Sequence, residues 1–181
     1  MKITCPKLNG DKYKNAILFF LTYCNNDYLG KTKLNKLFYY LDFISYRDKN
    51  KTITGDVYLH KTYGPVPENL DEILVELKDE GSIQVETIPY KEADKFKFIA
   101  LSDPKTKIFS KYEEDLLKYI CGKFLLWSTE KIVGQTHLEA PWFYSKPYEK
   151  VEMKYSSNID FFSYDEQRMA GKQNEPFLGE M

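Results

Sequence analysis

The stretch from Lys33 to Tyr46, KLNKLFYYLDFISY, carries apolar side chains on two faces of a single helix. At about 3.6 residues per turn, Leu34, Leu37, Phe38, Leu41 and Ile44 line one face. Tyr39, Tyr40, Phe43 and Tyr46 fall on roughly the opposite one. A helix apolar nearly all round is either central to its domain or meets another surface. Any fold for this chain must therefore cover both stripes. With 181 residues there is length for one domain of about 150 residues and an appendage, and such a core needs no staple. We place the domain at residues 1–150 and an extension at 151–181.

Composition excludes several classes. The longest apolar run, Ala16 to Leu21, is too short to span a bilayer and lacks signal-peptide flanks, so no membrane partner is expected. Cys5, Cys24 and Cys121 are an odd number at no metal-like spacing; a reduced, cytoplasmic setting fits them, with Cys24 and Cys121 as small core hydrophobes. The 26 basic and 27 acidic side chains give no global field to attract nucleic acid. Tyrosine, at 15 residues, is abundant and suits half-wet interfaces.

Periodicity orders the elements. Tyr13, Ile17, Phe20, Leu21 and Cys24 predict a first helix from about Asp11, as N-cap, to Asn26, and the two-striped helix follows from about Thr32 to Asp48. After a strand-like run, Asp56 to His60, the prolines of Tyr63-Gly64-Pro65-Val66-Pro67 predict a stiff elbow. Asn69 and Glu72 read as a capping box for a third helix carrying Leu70, Ile73, Leu74 and Leu77, closed by Gly81. Alternation at Ile83, Val85, Thr87 and at Phe96, Phe98, Ala100 predicts a hairpin. Ser110 with Glu113 forms a second capping box, ahead of Leu116, Leu117, Ile120, Cys121 and Phe124. Ser128 or Thr129 caps a fifth helix to about Thr136. The fold class is α+β, mainly α: a compact helical domain with a small β-hairpin and a winged-helix-like order of elements.

No catalytic constellation stands out. His60, on a strand, and His137, in a loop, have no nucleophile or acid arranged around them and read as structural; no phosphate loop, dinucleotide fingerprint or zinc signature is present. We expect no enzyme activity, no metal and no cofactor. Lys31, Lys33 and Lys36 raise the question of DNA, but in a winged helix the third helix would face phosphates, and here it is the most acidic part of the chain. Direct nucleic-acid binding is thus disfavoured. Glu72 and Glu76 on that helix, and Phe161, Phe162 and Tyr164 in the aromatic-acidic segment from Ile159 to Glu166, are the candidate partner-binding residues.

Leu34-Asn35-Lys36-Leu37-Phe38-Tyr39-Tyr40, then Tyr63-Gly64-Pro65-Val66, then Thr136-His137 followed by Ala140-Pro141-Trp142, resemble the Panacea domain of SocA-like antitoxins and phage-associated proteins over roughly residues 15 to 145. The resemblance marks Leu37, Tyr40, Tyr63, Gly64, Pro65, His137 and Trp142 as structural motif residues and carries over no catalytic ones. It implies a cytoplasmic antitoxin of a toxin-antitoxin system, whose partner is a cognate toxin protein neutralised by direct protein-protein binding. A winged-helix-like DNA-binding regulator and a protease adaptor that delivers a toxin for degradation are the alternatives, and homo-oligomerisation stays open. The resemblance also implies that the second stripe packs under the elbow and the Trp142 region.

Overall fold

The computed structural model describes residues 7–26, 29–90 and 93–159. Helix α1 (Gly10–Tyr23) and α2 (Lys31–Lys49) are followed by strands β1 (Tyr58–Lys61) and β2 (Gly64–Pro67). Next come α3 (Leu70–Asp79), β3 (Ile83–Tyr90) and β4 (Ala93–Ala100), then α4 (Lys111–Phe124), α5 (Thr129–His137) and the single turn α6 (Ala140–Phe143). Short 3₁₀ turns occupy Thr106–Ile108 and Met153–Asn158. The mainly α, α+β class expected from periodicity is the observed one.

Both stripes of α2 are covered because the helix runs through the middle of the fold. Every residue from Lys33 to Ser45 is buried. Helices α4 and α5, strand β2 and the Met153–Asn158 turn pack around it, while Phe38 meets Tyr13 and Phe20 of α1 at ring-centroid distances of 4.7 and 5.3 Å. Tyr39, Tyr40 and Phe43 are therefore core residues and not an exposed partner surface.

A buried carboxylate holds the chain that returns from α2. Asp42 accepts the backbone N–H of Ile53 at 2.7 Å and of Thr54 at 2.9 Å, the Thr54 hydroxyl, and the Tyr58 hydroxyl at 2.8 Å. Four donors offset the cost of enclosing the group, although burial still raises its pKa above the ordinary carboxylate value. Asp56 does the same at the next corner, accepting from the Tyr13 hydroxyl at 2.8 Å and from both the backbone N–H and the side-chain amide of Asn69.

Several local expectations are corrected by such long-range partners. Asn9, not Asp11, caps α1, its Oδ1 accepting the N–H of Lys12, and the helix stops at Tyr23. Asn69 makes no capping bond with its side chain, and Asp56 accepts its backbone N–H, the donor that a capping box leaves for Glu72, as well as its side-chain amide. The elbow is a second hairpin: β2 pairs antiparallel with β1, Leu59 opposite Val66 and Lys61 opposite Gly64. Its prolines are tolerated because β2 is an edge strand of a two-stranded ladder. Cys24 and Cys121, expected as free hydrophobes, are joined in a disulfide between the end of α1 and α4, where packing brings their Cα atoms to 5.4 Å. His137 is the last residue of α5 and not part of a loop.

Other expectations hold. Ser110 and Glu113 form a complete capping box on α4, and Ser128 caps α5. The hairpin β3–β4 pairs Val85 with Phe98 and Thr87 with Phe96. Gly81 closes the α3 region at φ +73°. Residues 151–159, assigned from the sequence to the extension, instead pack on the domain: the Val151 N–H donates to the Tyr58 carbonyl at 2.8 Å, and Ile159 is buried.

Candidate functional site

The motif residues converge where α2, α5, α6 and the β1–β2 hairpin meet. Lys36 is fully buried, and its ammonium donates to the Pro65 carbonyl at 2.7 Å. Burial lowers its pKa to about 7. Gly64 lies against it at φ +91°, and a Cβ at that position would sit 2.5 Å from Thr136 Oγ1 and 2.9 Å from Lys36 Cε. Only glycine meets both the backbone angle and the space. Gly64 and Pro65 thus close the lysine against α5.

One helical turn on, Tyr39 and Tyr40 donate to the two oxygens of Glu139 at 2.9 and 3.0 Å. Glu139 is buried at the start of α6, and desolvation raises its pKa to about 7 despite the tyrosine bonds. Tyr40 also stacks on Phe124 at 4.6 Å. Leu37, on the opposite stripe, is plain core.

Trp142 lies between two histidines, its ring 4.3 Å from that of His60 and 4.0 Å from that of His137. Its indole N–H donates to the Lys61 carbonyl at 3.3 Å, and His60 Nδ1 meets the Ser145 hydroxyl at 2.8 Å. Desolvation lowers the pKa of both histidines; the charge of Lys36 adds to the effect on His137. The stack joins α5, α6 and β1 into one unit. Both histidines are members of that stack.

Outside this unit the surface is aromatic. Tyr63, at the β1–β2 turn, is 68% exposed, and Phe143, Tyr144 and Tyr148 are exposed beside Trp142. Tyr148 has φ +67°, an uncommon angle for a large side chain, and is held there by a 2.9 Å bond from its N–H to the His60 carbonyl. Lys61 lies over its ring at 5.2 Å.

The partner-binding candidates fare differently. Glu72 is exposed on α3, whereas Glu76 pairs with Lys14 of α1 at 2.9 Å. Phe161, Phe162 and Tyr164 lie outside the described residues. The amino-terminal lysines of α2 are not a phosphate-binding patch: Lys33 and Lys36 are buried, and Lys31 pairs with Asp71 at 2.7 Å. Lys33 instead donates to the carbonyls of Leu125 and Trp127 at the end of α4. Sequence reasoning missed Glu139 and the burial of Lys36. A lysine set inside an apolar stripe between Leu34 and Leu37 was the available signal. Among the described residues no group of His, Cys, Asp and Glu is arranged to hold a metal, and no helix is long and apolar enough to cross a membrane.

The family described as antitoxin SocA-like, Panacea domain, matches this chain over residues 34–143, more than half its length and the span that contains Lys36, Gly64, Glu139 and Trp142. No curated protein and no solved structure matches it.

Proposed function

Because the chain belongs to the SocA-like antitoxin family with a Panacea domain, we propose that it neutralises a cognate toxin protein by direct binding and without catalysis. The observation that carries this reading is where the matched span spends its polar chemistry. Lys36 and Glu139, the groups brought closest to neutrality, are enclosed and bonded to a backbone carbonyl and to two tyrosines. They hold elements together. What the same unit offers outward is a set of exposed aromatic rings, the side chains that dominate binding hot spots.

The acidic face of α3, with Glu72, and the aromatic-acidic segment with Phe161, Phe162 and Tyr164 supply charge opposite to that of a toxin groove built to bind nucleotides or RNA. In this reading Glu72 steers the encounter and the aromatic segment anchors the toxin. Growth tests the function: the adjacent reading frame is induced alone and together with this chain. Rescue of growth, with the two proteins copurifying, is the expected result. Growth arrest that persists despite soluble expression of this chain would refute the reading. Phe161→Ala with Phe162→Ala is expected to abolish rescue, each ring contributing about 2 kcal/mol or more as a hot spot.

A further inference from the structure

Helices α1 and α4 are tied at both ends. At their amino ends the Lys12 ammonium meets both carboxylate oxygens of Glu113 at 2.6 Å. At their carboxyl ends the tie is covalent: Cys24, directly after α1, is bonded to Cys121 in the last turn of α4. The carboxyl end does not depend on the sulfur bond alone. The side-chain amide of Asn26 donates to the Leu125 carbonyl at 2.7 Å, Lys33 donates to the same carbonyl and to that of Trp127, and both helices bury their apolar faces in one core.

Packing that holds the two cysteines together by other contacts lets their bond form and break in place. Their Cα atoms are 5.4 Å apart, inside the range of about 4.4–6.8 Å that a disulfide needs, so no helix has to move. The bond also closes a long loop: 97 positions separate the cysteines, a span that includes α2, α3 and both hairpins. Cross-links over long loops restrict the unfolded chain most. Both cysteines are buried, so a small thiol reaches the bond only when this corner opens. In a compartment kept reduced by such thiols, a disulfide is characteristically transient and redox-sensing.

We propose that Cys24 and Cys121 form a redox-sensitive latch: oxidised, they fix the carboxyl ends of α1 and α4 to each other; reduced, they leave the two ends packed and free to open. The oxidant is a small-molecule disulfide of the glutathione class. In the opened corner the thiolate of one cysteine attacks a sulfur of that disulfide, whose S–S bond breaks and releases one small thiol. The thiolate of the second cysteine then attacks the protein sulfur of the mixed disulfide and displaces the other small thiol. Two protein thiols are thereby oxidised by two electrons, one small disulfide is reduced to two thiols, and the two protons pass to them. Excess small thiol runs the same steps backwards. The latch goes beyond the antitoxin reading and does not depend on it.

The experiment uses the full-length chain with Cys5→Ser, which removes the third thiol; Cys5 lies outside the described residues. The protein is equilibrated with oxidised or with reduced glutathione, and its thiols are counted by alkylation in denaturant and mass spectrometry. Expected are no free thiols after the first treatment and two after the second, with both forms folded and a urea midpoint about 1–2 M higher for the oxidised one. Hydrogen exchange at the carboxyl ends of α1 and α4 should speed up severalfold on reduction, and more than at the amino ends that Lys12 and Glu113 hold. Cys121→Ala should show the same midpoint after either treatment, whatever its own stability. Mixed or intermolecular disulfides in place of the internal bond, equal midpoints of the two forms, an unfolded reduced form, or exchange that speeds up equally along both helices would each overturn the proposal.

Discussion

Adding a single methyl group at Gly64 tests how the β1–β2 hairpin is seated on α2 and α5. Two costs add in Gly64→Ala. The residue has φ +91°, and forcing an L side chain into that half of conformational space costs about 1–2 kcal/mol. The new Cβ would also stand 2.5 Å from Thr136 Oγ1 and 2.9 Å from Lys36 Cε. Neither neighbour yields easily, since the Thr136 hydroxyl donates to the Val133 carbonyl at 2.8 Å and the Lys36 ammonium to the Pro65 carbonyl at 2.7 Å. Overpacking of this kind costs about 1–3 kcal/mol. With the conformational cost, a total loss of about 2–5 kcal/mol is expected. Gly81 supplies the control: its φ is +73°, but a Cβ there meets nothing within 4 Å. Gly81→Ala should therefore cost only the conformational part, about 1–2 kcal/mol. Urea unfolding midpoints of the two variants and the parent make the comparison. If the two variants are equally stable, the close seating of the hairpin against Lys36 and Thr136 is refuted.

Asp42→Ala should be among the most damaging single changes, at about 3–5 kcal/mol by thermal or urea unfolding, because it strands four buried donors at once. Ser110→Ala, by contrast, should cost about 1 kcal/mol, the usual value of a helix cap, since it removes one half of a capping box at the start of α4. The buried Glu139 and Lys36 predict opposite pH dependences. The folded pKa of Glu139 is raised from 4.5 to about 7, so the folded state holds its proton more tightly and stability is lost as pH rises through that window. Lys36 is lowered from 10.5 to about 7; there the unfolded state binds the proton more tightly, and stability is gained as pH rises from about 7 to 10. A stability minimum near neutrality is expected in denaturation at fixed temperature. Glu139→Gln should flatten its acid limb and Lys36→Met its alkaline limb; a profile unchanged by either substitution would refute the assignment.

What the sequence made legible was what depends on neighbours along the chain. The two apolar stripes of α2 required a helix that is central or meets another surface, and alternation placed β3 and β4, because each pattern is the direct imprint of burial on a periodic backbone. The Ser110 capping box was legible for the same reason: both its partners lie within one turn. The equally plausible box at Asn69 did not form: Asp56, thirteen residues earlier, accepts the Asn69 backbone N–H that Glu72 would have taken. Strand β2 was hidden by its own prolines, which read as an elbow until β1 is seen to pair with it. Glu139 illustrates the limit most sharply. In sequence it is a polar residue before Ala-Pro, and only the fold brings Tyr39 and Tyr40, a hundred positions away, to enclose it.

The distribution of these groups bears on the proposed binding of a toxin. Lys36, Asp42, Gly64 and Glu139 all lie within residues 34–143, and each is committed to a contact inside the domain. A change at any of them strands a buried polar group or forces an overlap, so the matched span has little freedom to adapt to a partner through these positions. Tyr144 and Tyr148 follow directly after the matched span and present exposed rings, and the segment carrying Phe161 and Phe162 follows them. Substitutions of exposed rings leave no cavity in the core and no donor unpaired. On the proposed reading, a toxin-binding surface at this end of the chain can therefore vary without repacking α2, provided that the Trp142 stack keeps α6 fixed against His60 and His137.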